Sequence, residues 1–439
     1  MKDIVLVLSD QHSGCITSSY NSIIQTPCLD AINEEAQVFT NAYCNNPLCV
    51  PSRMSFLSGK EPHESGIYNN DQILDSEEET LASKLKGAGY RTALVGRMHF
   101  KGHDQYHGFE ERYVGDITTQ WWNQKRNDLG AFQGTMQMNG CLKEFGYGPS
   151  PVQSFDEAVL KKSLEILEEK EDRPLFLVIG FYGPHFPYCV EKKYFDHYFD
   201  KIVDTNNYFD TSDECYQDMQ MDASESTLKH VRSSYYGLIE KLDNMIGEIY
   251  KHCKNKIFIY TSDHGDQLGK RKLFGKKTMY DESIMIPLTI VDKSKSAHVF
   301  THEVSLLNLH QTILAYADIE HDTTVFEEQK PIRITSMIGN ENPQLIQAVI
   351  FQGYKLIKYN NCLKLVYLDS EVKEDFDRIK IMRKYFVDEK DVFEKYTIKQ
   401  NEVIKNRKWT NDNNPQDWIR YHIHSECTKK PKRREGYEI

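Results

Sequence analysis

The segment Cys49-Val50-Pro51-Ser52-Arg53 combines a thiol, a helix-compatible proline and a forked cation. Pro51 suits the first turn of a helix, which places Cys49 at the helix N-terminus. Arg53 follows Cys49 by four residues and therefore projects from the same face. Free N–H groups at a helix start attract a tetrahedral anion, and a guanidinium strengthens that attraction. From this segment alone, Cys49 is either an activated thiol or a buried structural cysteine.

Polar residues follow four short apolar runs, each of which is typical of a buried strand. In open α/β sheets, ligands bind beyond the carboxyl ends of the strands, so these residues are expected to share one site. The runs are 4–8 before Ser9-Asp10-Gln11, 92–95 before Gly96-Arg97-Met98-His99, 175–179 before Pro184-His185, and 257–260 before Ser262-Asp263-His264-Gly265. One such coincidence means little, but four together indicate a functional site.

Two of these strand ends carry side chains that bind metals. Asp10 with Gln11, and Asp263 with His264, offer hard oxygen donors and one imidazole. Calcium prefers carboxylate and amide oxygens, whereas the imidazole leaves room for another divalent metal. Either aspartate alone could cap the turn that follows it. The two aspartates together favour a divalent-cation site.

The elements that must position these residues alternate between short strands and helices. This pattern predicts an α/β fold with a large mixed, mostly parallel sheet sandwiched by helices. Apolar residues recur with helical spacing at 154–170 and at 228–245. Between 348 and 368, short apolar runs are broken by Gly353-Tyr354 and Asn360-Asn361, which is typical of antiparallel hairpins. We therefore predict a catalytic domain at residues 1–325 and a smaller C-terminal subdomain with a small antiparallel sheet and a tail at residues 326–439.

Composition excludes several classes of function. The chain has 439 residues, 39% hydrophobic and 27% charged, with a net charge of −11. A negative balance argues against general binding of nucleic acid or of anionic membranes, which requires a positive field. No apolar run approaches the roughly 20 residues of a membrane span, and the first residues do not form a signal peptide. We expect a cytoplasmic protein.

The cysteines and the C-terminus carry weaker signals. Ten cysteines are scattered without a Cys-x-x-Cys pair, so neither a disulfide framework nor a structural zinc site is expected. The basic run Lys429-Lys430-Pro431-Lys432-Arg433-Arg434 is expected to be a solvated end. The sequence leaves a monomer and a homo-oligomer open.

The ordered set of motifs resembles the sulfatase family of the alkaline phosphatase superfamily. Cys-x-Pro-Ser-Arg at Cys49, with Leu57-Ser58-Gly59 after it, is similar to the sulfatase signature. The resemblance covers most of the chain. It continues through Asp10-Gln11, Thr26-Pro27-Cys28-Leu29-Asp30, Phe39-Thr40-Asn41-Ala42-Tyr43, Gly96-Arg97-Met98-His99, Gly183-Pro184-His185, 236–247, Ser262-Asp263-His264-Gly265 and 276–287. It implies an alkaline-phosphatase-like fold and hydrolysis of a sulfate monoester to an alcohol and inorganic sulfate.

The resemblance also implies how Cys49 acts. In the family, a maturation enzyme, here a transient partner, oxidises this cysteine to formylglycine. The hydrated aldehyde has two hydroxyls, and the cation lowers the pKa of the one that attacks sulfur. By resemblance, one divalent cation, normally Ca²⁺, is held by five residues. These are Asp10, Gln11, modified Cys49, Asp263 and His264.

Further roles follow residue by residue from the resemblance. Arg53 stabilises the modified residue, and Lys276 and His185 hold sulfate and protonate the leaving oxygen. His99 deprotonates the remaining hydroxyl and so expels sulfate. Asn70 is similar to an asparagine that contacts sulfate in one branch of the family. Cations aimed at developing charge are expected to supply the largest part of catalysis.

Two positions depart from the common pattern. Arg97 stands where many sulfatases carry lysine, and it keeps the charge on a bulkier, forked group. Gln11 replaces the second aspartate of the double-aspartate form, although the Asp-Gln form also occurs in the superfamily. This replacement lowers the negative charge of the site by one unit, which weakens calcium binding.

The substrate is the least determined feature. The segments 42–49, Tyr68-Asn69-Asn70, 97–100 and 104–112 are most similar to choline-sulfatase-type enzymes. A quaternary ammonium requires an aromatic cage, for which Trp121 and Trp122 are candidates, together with Tyr182 or Tyr188 beside His185. Simple packing explains the tryptophans equally well. Lys125 and Arg126 follow them and would suit an anionic or sugar sulfate instead.

Three functions therefore remain open at this point. The first is a sulfatase that acts on a small-molecule sulfate ester, either choline sulfate, a sugar sulfate or an aryl sulfate. The second is a phosphonate monoester or phosphodiester hydrolase of the same superfamily, against which His99 and Lys276 argue. The third is a catalytically silent binding protein with the sulfatase fold, which the intact set of polar residues disfavours.

Overall fold

The computed structural model describes residues 1–19, 21, 23–118, 128–137, 140–202, 206–327, 330–339, 342–360, 362–367, 370–372, 375–406 and 425–434. The strands are β1 Ile4–Asp10, β2 Gln37–Tyr43, β3 Arg91–Gly96, β4 Glu111–Tyr113, β5 Gly146–Tyr147, β6 Leu175–Pro184, β7 Cys189–Val190, β8 Ile257–Ser262, β9 Met285–Val291, β10 His298–Ser305, β11 Ile332–Ile338, β12 Gln344–Phe351, β13 Tyr354–Tyr359, β14 Cys362–Tyr367 and β15 Ser370–Glu371. The helices are α1 Pro27–Asn33, α2 Cys49–Ser58, α3 Pro62–Ser65, α4 Leu81–Gly87, α5 Pro151–Glu168, α6 Lys192–Phe199, α7 Glu225–Lys251, α8 Asp281–Ile284, α9 Leu306–Tyr316, α10 Phe376–Met382 and α11 Glu389–Asn406.

The large sheet has eight strands in the order β10-β2-β9-β8-β1-β6-β3-β4. Strand β1 pairs in parallel with β6 on one side and β8 on the other. Strand β3 extends the parallel set beyond β6 and pairs with β4. Strand β9 runs antiparallel to both β8 and β2. The predicted mixed, mostly parallel sheet is therefore confirmed, and β1, β3, β6 and β8 end at one edge.

Strand β1 explains why the buried strands read as continuous apolar runs. Successive side chains point to opposite faces of a sheet, so Leu6 joins one apolar core and Val7 joins the other. Helices α5 and α7 cover the face of Val7, and α2, α4 and α9 cover the face of Leu6. Because both faces are covered, no polar alternation is needed along the strand.

The smaller sheet has five antiparallel strands in the order β11-β12-β13-β14-β15, which confirms the predicted hairpins. Its inner residues Ile334 and Ile346 belong to the same apolar core as Leu6 of the large sheet. The backbone N–H of Thr335 also donates to the carbonyl of Asn45 at 3.1 Å. The domain boundary after residue 325 stays a prediction, because the core runs across it without a break.

The described part of the C-terminus contacts the large domain. Lys432 forms an antiparallel bridge with Tyr147, with backbone hydrogen bonds of 2.7 and 2.8 Å. Arg434 pairs with Asp200 at 2.8 Å. The expected solvated end is therefore partly docked, although Lys432 itself is exposed. All ten cysteines are free thiols. Among the described residues, no helix has the length and apolarity needed to cross a bilayer.

Candidate active site at the strand ends

Cys49 is the first residue of helix α2 and is buried. Leu48 precedes it as the N-cap and makes no side-chain cap. Instead the Oδ1 atom of Asn70, from a separate loop, accepts the N–H of Val50 at 3.0 Å. Gly59 ends the helix with a φ of 72°, a left-handed conformation that favours glycine. The motif residues thus form one short helix that presents Cys49 at its N-terminus, as the sequence predicts.

Four potential ligand atoms converge on one point. One atom each of Asp10, Cys49, Asp263 and His264 lies within 4.8 Å of the other three, and all four residues are buried. Cys49 Sγ is 3.7 Å from Asp10 Oδ1 and 3.3 Å from His264 Nε2. His264 Nε2 is 3.6 Å from Asp263 Oδ1. The ends of β1 and β8 and the start of α2 meet here, because parallel strands present their carboxyl ends at one edge.

Arg53 decides which carboxylate oxygens face this point. Its Nε donates to Asp263 Oδ2 at 2.8 Å, and a terminal nitrogen donates to Asp10 Oδ2 at 3.1 Å. One oxygen of each carboxylate is therefore occupied, and the two Oδ1 atoms remain directed at the cluster. The other terminal nitrogen donates to the Arg97 carbonyl at 3.0 Å. The structure thus gives Arg53 a positioning role between two acids, and its predicted contact with a modified Cys49 stays a prediction.

Arg97 binds the same carboxylate from the other side. Its Nε donates to Asp10 Oδ2 at 2.5 Å, and a terminal nitrogen donates to Asp116 at 3.0 Å. The guanidinium stacks on the Tyr182 ring, 4.3 Å from the ring centroid. Burial alone would lower the pKa of Arg97, but Asp116 and Asp10 outweigh burial and raise it well above its ordinary value. The arginine that replaces the expected lysine is therefore a fixed cation.

Lys276 connects Cys49 to Gln11. Its Nζ donates to Cys49 Sγ at 3.1 Å and to Gln11 Oε1 at 2.7 Å. The Gln11 amide nitrogen donates to Asp266, and Asp266 also accepts from the Tyr188 hydroxyl at 2.8 Å. Asp266 therefore fixes the orientation of the Gln11 amide, so that its oxygen faces Lys276. Ligation of a metal by Gln11 stays a prediction.

Two histidines have ring orientations that are set by backbone carbonyls. His264 Nδ1 donates to the Gly265 carbonyl at 3.1 Å, which leaves the Nε2 lone pair directed at the cluster. Burial lowers its pKa to about 4, so the ring is neutral and able to bind a metal. His185 Nδ1 donates to the Phe186 carbonyl at 2.5 Å, and its Nε2 lies 4.0 Å from Asp10 Oδ1. Burial, followed by the charge of Lys276, lowers the pKa of His185 well below its ordinary value.

His99 lies beside the arginine rather than beside the thiol. Its Nδ1 accepts from Arg97 at 2.8 Å, which places the proton of the neutral ring on Nε2. Burial and the charge of Arg97 lower its pKa well below the ordinary value. Its backbone φ is 62°, a left-handed conformation that is held by the surrounding loop. The role of His99 as a base stays a prediction, and it requires release of Nδ1 from Arg97.

The surroundings lower the pKa of Asp10 and raise the pKa of Cys49. Burial raises the pKa of Asp10, but the surrounding cations outweigh burial and hold it well below the ordinary value. These cations are Arg97, Arg53 and Lys276. Burial, followed by the charge of Asp10, raises the pKa of the Cys49 thiol. Of the two interpretations of Cys49 from its helix alone, the activated thiol is therefore not favoured, because desolvation outweighs the helix N-terminus.

The arrangement fits a divalent cation. Two carboxylate oxygens, one imidazole nitrogen and the side chain of residue 49 surround one point, and arginines already occupy the outer carboxylate oxygens. Carboxylate oxygens suit calcium, and conversion of the sulfur at position 49 to oxygen would add a further hard donor. Asp10, Asp263, His264 and residue 49 are the residues that would hold the ion.

Several residues that shape the site were not identified from the sequence. Asp116 pairs with Arg97, Asp266 orients Gln11, and Asp156 accepts the backbone N–H groups of Tyr182 and Gly183 at 2.7 and 2.8 Å. Asp266 carried a weak signal, since it directly follows Asp263-His264-Gly265. Asp116 and Asp156 carried none, because nothing in their local sequence differs from an ordinary surface acid.

The residues predicted to contact the substrate lie partly inside and partly outside the described part of the chain. Trp121 and Trp122, with Lys125 and Arg126, lie outside the described residues. Tyr182 and Tyr188 are completely buried, the first under Arg97 and the second against Asp266, so neither ring is open to a ligand. Asn70 caps helix α2 next to Cys49, and its contact with sulfate stays a prediction.

Several known proteins are similar to this chain in sequence. A choline-sulfatase of Rhizobium meliloti is 29% identical over 363 residues, which are 75% of this chain and 69% of that protein. An arylsulfatase of Clostridium perfringens is 28% identical, over 72% of this chain and 75% of that protein. An ulvan-active sulfatase of Formosa agariphila is 30% identical, over 78% of this chain and 66% of that protein.

Solved structures share the fold. A phosphonate monoester hydrolase of Agrobacterium radiobacter superposes with a TM-score of 0.69 at 16% identity, covering 92% of this chain and 96% of that one. A protein in complex with its substrate D-glucosamine-2-N,6-O-disulfate superposes with a TM-score of 0.68 at 17% identity, covering 93% and 100%. The sulfatase family model matches residues 2–319. The chain therefore belongs to the sulfatase family, the hydrolases of sulfate esters.

Proposed function

We propose that this protein hydrolyses a sulfate monoester through a formylglycine made from Cys49, with the help of one divalent cation, Ca²⁺. One observation carries the proposal. Cys49 lies where the donor atoms of Asp10, Asp263 and His264 converge, and Lys276 contacts its sulfur directly. A protein that kept only the fold would have no need for a buried, mutually paired set of charges around one thiol.

The chain's own residues prepare the place where sulfate would bind. The converted residue would supply an oxygen nucleophile, and the cation would lower the pKa of that oxygen. Lys276 provides a positive charge within contact distance of residue 49. Arg97 and Arg53 hold Asp10 ionised and fixed, so that little reorganisation is needed when charge develops on sulfate.

His185 is the proposed donor of a proton to the leaving oxygen. Its Nε2 carries a lone pair, because Nδ1 donates to the Phe186 carbonyl. Burial and Lys276 disfavour the protonated ring. A bound sulfate anion counteracts these effects through its negative charge, which pairs with Lys276 and attracts a proton to Nε2. Binding of substrate would therefore convert His185 into an acid.

The identity of the alcohol divides the proposal into two versions. The similarity to a choline-sulfatase supports choline sulfate. The similarity to an ulvan-active sulfatase supports a sulfated sugar. The described residues contain no open aromatic cage next to His185, since Tyr182 and Tyr188 are buried. Choline sulfate would therefore need rings from outside the described part of the chain.

The first test is release of inorganic sulfate by protein that is coexpressed with a sulfatase-maturation enzyme. The substrates are choline sulfate, sulfated monosaccharides and an aryl sulfate, together with a phosphonate monoester, for which release of the alcohol is measured instead. We expect sulfate release by the wild type and none by Cys49→Ala, with identical far-ultraviolet circular dichroism. Full activity of Cys49→Ala would refute the nucleophile, and turnover of the phosphonate alone would favour the second enzyme class.

Removal of the cation tests the other half of the proposal. After exhaustive chelation we expect sulfate release to stop. It should return on addition of Ca²⁺, because the cation then binds to Asp10 and Asp263 again. Elemental analysis of the purified protein supplies the independent readout. An enzyme that contains no divalent metal and keeps full activity after chelation would refute the metal site.

A further inference from the structure

A buried aspartate of helix α5 holds the end of strand β6, just ahead of His185. Asp156 Oδ1 accepts the N–H of Tyr182 at 2.7 Å, and Oδ2 accepts the N–H of Gly183 at 2.8 Å. Each oxygen of this buried carboxylate therefore binds one of two successive backbone donors. Such charge-assisted hydrogen bonds are stronger than bonds between neutral groups. Asp156 thus fixes the backbone that leads into the proposed proton donor.

An irregularity in the large sheet explains why these two N–H groups need a side-chain acceptor. Strand β1 pairs with β6 at Leu8 and Gly180, and again at Asp10 and Pro184. Between these two pairs β1 advances by two residues and β6 by four, so the extra residues of β6 leave the regular ladder. A buried N–H group without an acceptor is costly, and the carboxylate of Asp156 supplies the acceptor. The aspartate therefore stabilises the point at which the chain leaves the sheet.

Helix α5 also holds the chain on the far side of His185. Residues of this helix and of β6 belong to the same apolar core, so the helix is packed directly on the strand. Gln153 lies three residues before Asp156 and therefore on the same face of the helix. Its Nε2 donates to the Cys189 carbonyl at 3.2 Å. One helix thus holds the loop of His185 at both of its ends.

The segment that Asp156 holds also connects two groups of the site. The Tyr182 ring packs under Arg97 and against His185, with 4.9 Å between the centroids of the tyrosine and histidine rings. His185 Nε2 lies 4.0 Å from Asp10 Oδ1. A shift of the Tyr182 backbone would therefore move the imidazole relative to Asp10. Misplacement of a catalytic group by about 1 Å costs on the order of a hundredfold in rate.

We propose that Asp156 is a positioning residue that holds His185 at the oxygen of the leaving alcohol. The inference rests on the proposed function, since it takes His185 as the donor of the proton to that oxygen. Asp156 acts through the backbone of Tyr182 and Gly183. Its loss should therefore slow the hydrolysis of esters whose alcohols need a proton, and should spare esters whose alcohols leave as stable anions.

The experiment compares two aryl sulfates that differ in the basicity of the leaving phenol. Phenyl sulfate releases a basic phenoxide and needs the proton, whereas 4-nitrophenyl sulfate releases a stabilised anion and needs it less. The readout is the leaving-group ratio, which is kcat/KM for phenyl sulfate divided by kcat/KM for 4-nitrophenyl sulfate. A smaller fraction of folded or converted protein lowers both values equally and cancels in this ratio. Assays are run at about pH 8, because burial raises the pKa of Asp156 to about 7 and only the carboxylate accepts both N–H groups.

Two variants disturb the contact from opposite sides. Asp156→Asn keeps the size of the side chain but turns an N–H donor towards one of the two backbone N–H groups. We expect the leaving-group ratio to fall by about tenfold. Gly183→Ala keeps the aspartate, but a Cβ at residue 183 would lie 2.8 Å from Asp156 Oδ2. The ratio should then fall by about threefold.

A double variant shows whether Asp156 acts through His185. His185→Gln removes the proposed proton donor and should lower the leaving-group ratio at least as far as Asp156→Asn does. Asp156→Asn added to His185→Gln should lower the ratio no further, because two substitutions that affect one function are not additive.

Asp243→Asn is the matched control. Asp243 of helix α7 is also buried, and its two oxygens accept the N–H groups of Cys28 and Leu29 at 2.9 and 2.8 Å. It makes the same pair of hydrogen bonds to helix α1, and neither partner belongs to the cluster at Cys49. Asp243→Asn should weaken the fold as Asp156→Asn does, but it should leave the leaving-group ratio unchanged.

The position of the imidazole supplies a readout that needs no substrate. Crystal structures of wild type and Asp156→Asn are compared at His185. We expect the imidazole of the variant to be displaced from Asp10 by about 1 Å. An imidazole that keeps its distance of 4.0 Å to Asp10 Oδ1 in the variant would refute the positioning role.

Different results overturn different statements. A lowered leaving-group ratio in His185→Gln but not in Asp156→Asn or Gly183→Ala would refute the positioning role and leave the proposed function intact. A further fall in the double variant, or an equal fall in Asp243→Asn, would refute the positioning role as well. An unchanged ratio in His185→Gln would refute the proposed proton donor, and the inference with it. No sulfate release from any ester by protein with converted Cys49 would refute the proposed function itself.

Discussion

Two arginines of this protein pair with carboxylates in opposite ways. Arg53, in the site, spans two acids and binds one oxygen of Asp10 and one oxygen of Asp263. Arg333, between the small sheet and the large domain, binds both oxygens of Glu61, at 2.6–3.0 Å. The site pairs are completely buried, whereas the Arg333 and Glu61 side chains are 33% and 16% exposed.

The difference shows how a protein can bury an ion pair and still bind a ligand. A bidentate clamp uses both oxygens of one acid and leaves nothing for a cation. An arginine that spans two acids fixes both carboxylates and leaves one oxygen of each directed at the cluster around Cys49. Breaking such a buried pair is also far more costly than breaking a half-exposed one, because a charge is left without a partner in a dry site.

Substitution of lysine for arginine at each of the two positions should show the largest difference between them. Arg53→Lys places one ammonium where a fork is needed, so Asp10 and Asp263 cannot both keep their contacts. We expect the free energy of unfolding to fall by about 3–5 kcal/mol and kcat/KM to fall by about a hundredfold or more. Urea denaturation and sulfate release measure the two effects.

Arg333→Lys is the matched control. It should lower the free energy of unfolding by about 1 kcal/mol or less and leave kcat/KM unchanged, because the pair with Glu61 is partly exposed and involves none of the residues around Cys49. If the two substitutions lowered the free energy of unfolding equally, burial of the Arg53 pairs would add nothing to the cost of breaking them.

The second expected effect concerns Arg97. Asp116→Asn removes one of the two carboxylates that hold this guanidinium, while Asp10 keeps the other contact. We expect kcat/KM to fall by about tenfold, which corresponds to about 1.4 kcal/mol in the transition state. Asp281→Asn, which weakens the 2.6 Å pair with Lys355 beside the small sheet, is the control. A loss of activity in the control but not in Asp116→Asn would reverse the assignment.

The third effect concerns a buried histidine between helices α9 and α2. His310 Nδ1 donates to the Phe56 carbonyl at 2.7 Å, and burial lowers the pKa of His310 to about 4. Between about pH 4 and pH 6.5 the unfolded chain binds a proton here that the folded chain does not. Stability contributed by this group therefore rises with pH through that window and is lost as the pH falls.

His310→Phe keeps the ring and removes the proton. We expect the wild type to lose about 3 kcal/mol more than this variant between pH 6.5 and pH 4. Urea denaturation at a series of pH values gives the slopes. If stability depended on pH in the same way in both proteins, the pKa of His310 would not be lowered by folding. Substitution of His264 would test the site itself, but a bound cation would then also contribute.

The smallest effect belongs to the exposed edge of the small sheet. Lys364 pairs with Asp213 at 2.6 Å, and the two side chains are 34% and 29% exposed. Lys364→Met should lower the free energy of unfolding by about 0.5 kcal/mol and leave sulfate release unchanged. If the free energy of unfolding fell by several kcal/mol, this partly exposed pair would be as costly to break as the buried pairs of the site.

Much of the fold could be predicted from the sequence because the apolar runs are unbroken and end in distinctive residues. Each of the four runs before a polar motif is a strand of the large sheet, and the Cys49 motif starts a helix. The domain boundary was harder to place, since Ile334 and Ile346 share a core with the large sheet and no linker separates them. The basic C-terminus was expected to be solvated, but Lys432 pairs through backbone atoms, which sequence charge does not report.

The sequence by itself determined which groups are candidates for the chemistry, because strand ends and a helix start can be read from local patterns. Asp10, Cys49, Asp263 and His264 were identified in this way, whereas Lys276 was identified through the resemblance to the sulfatase family. Only the tertiary structure decided which contacts these groups make with their neighbours. Arg53 takes the outer carboxylate oxygens, Arg97 takes the lone pair of His99, and Asp266 turns the amide of Gln11. Such contacts depend on distance and direction between segments far apart in the chain, and local sequence encodes neither.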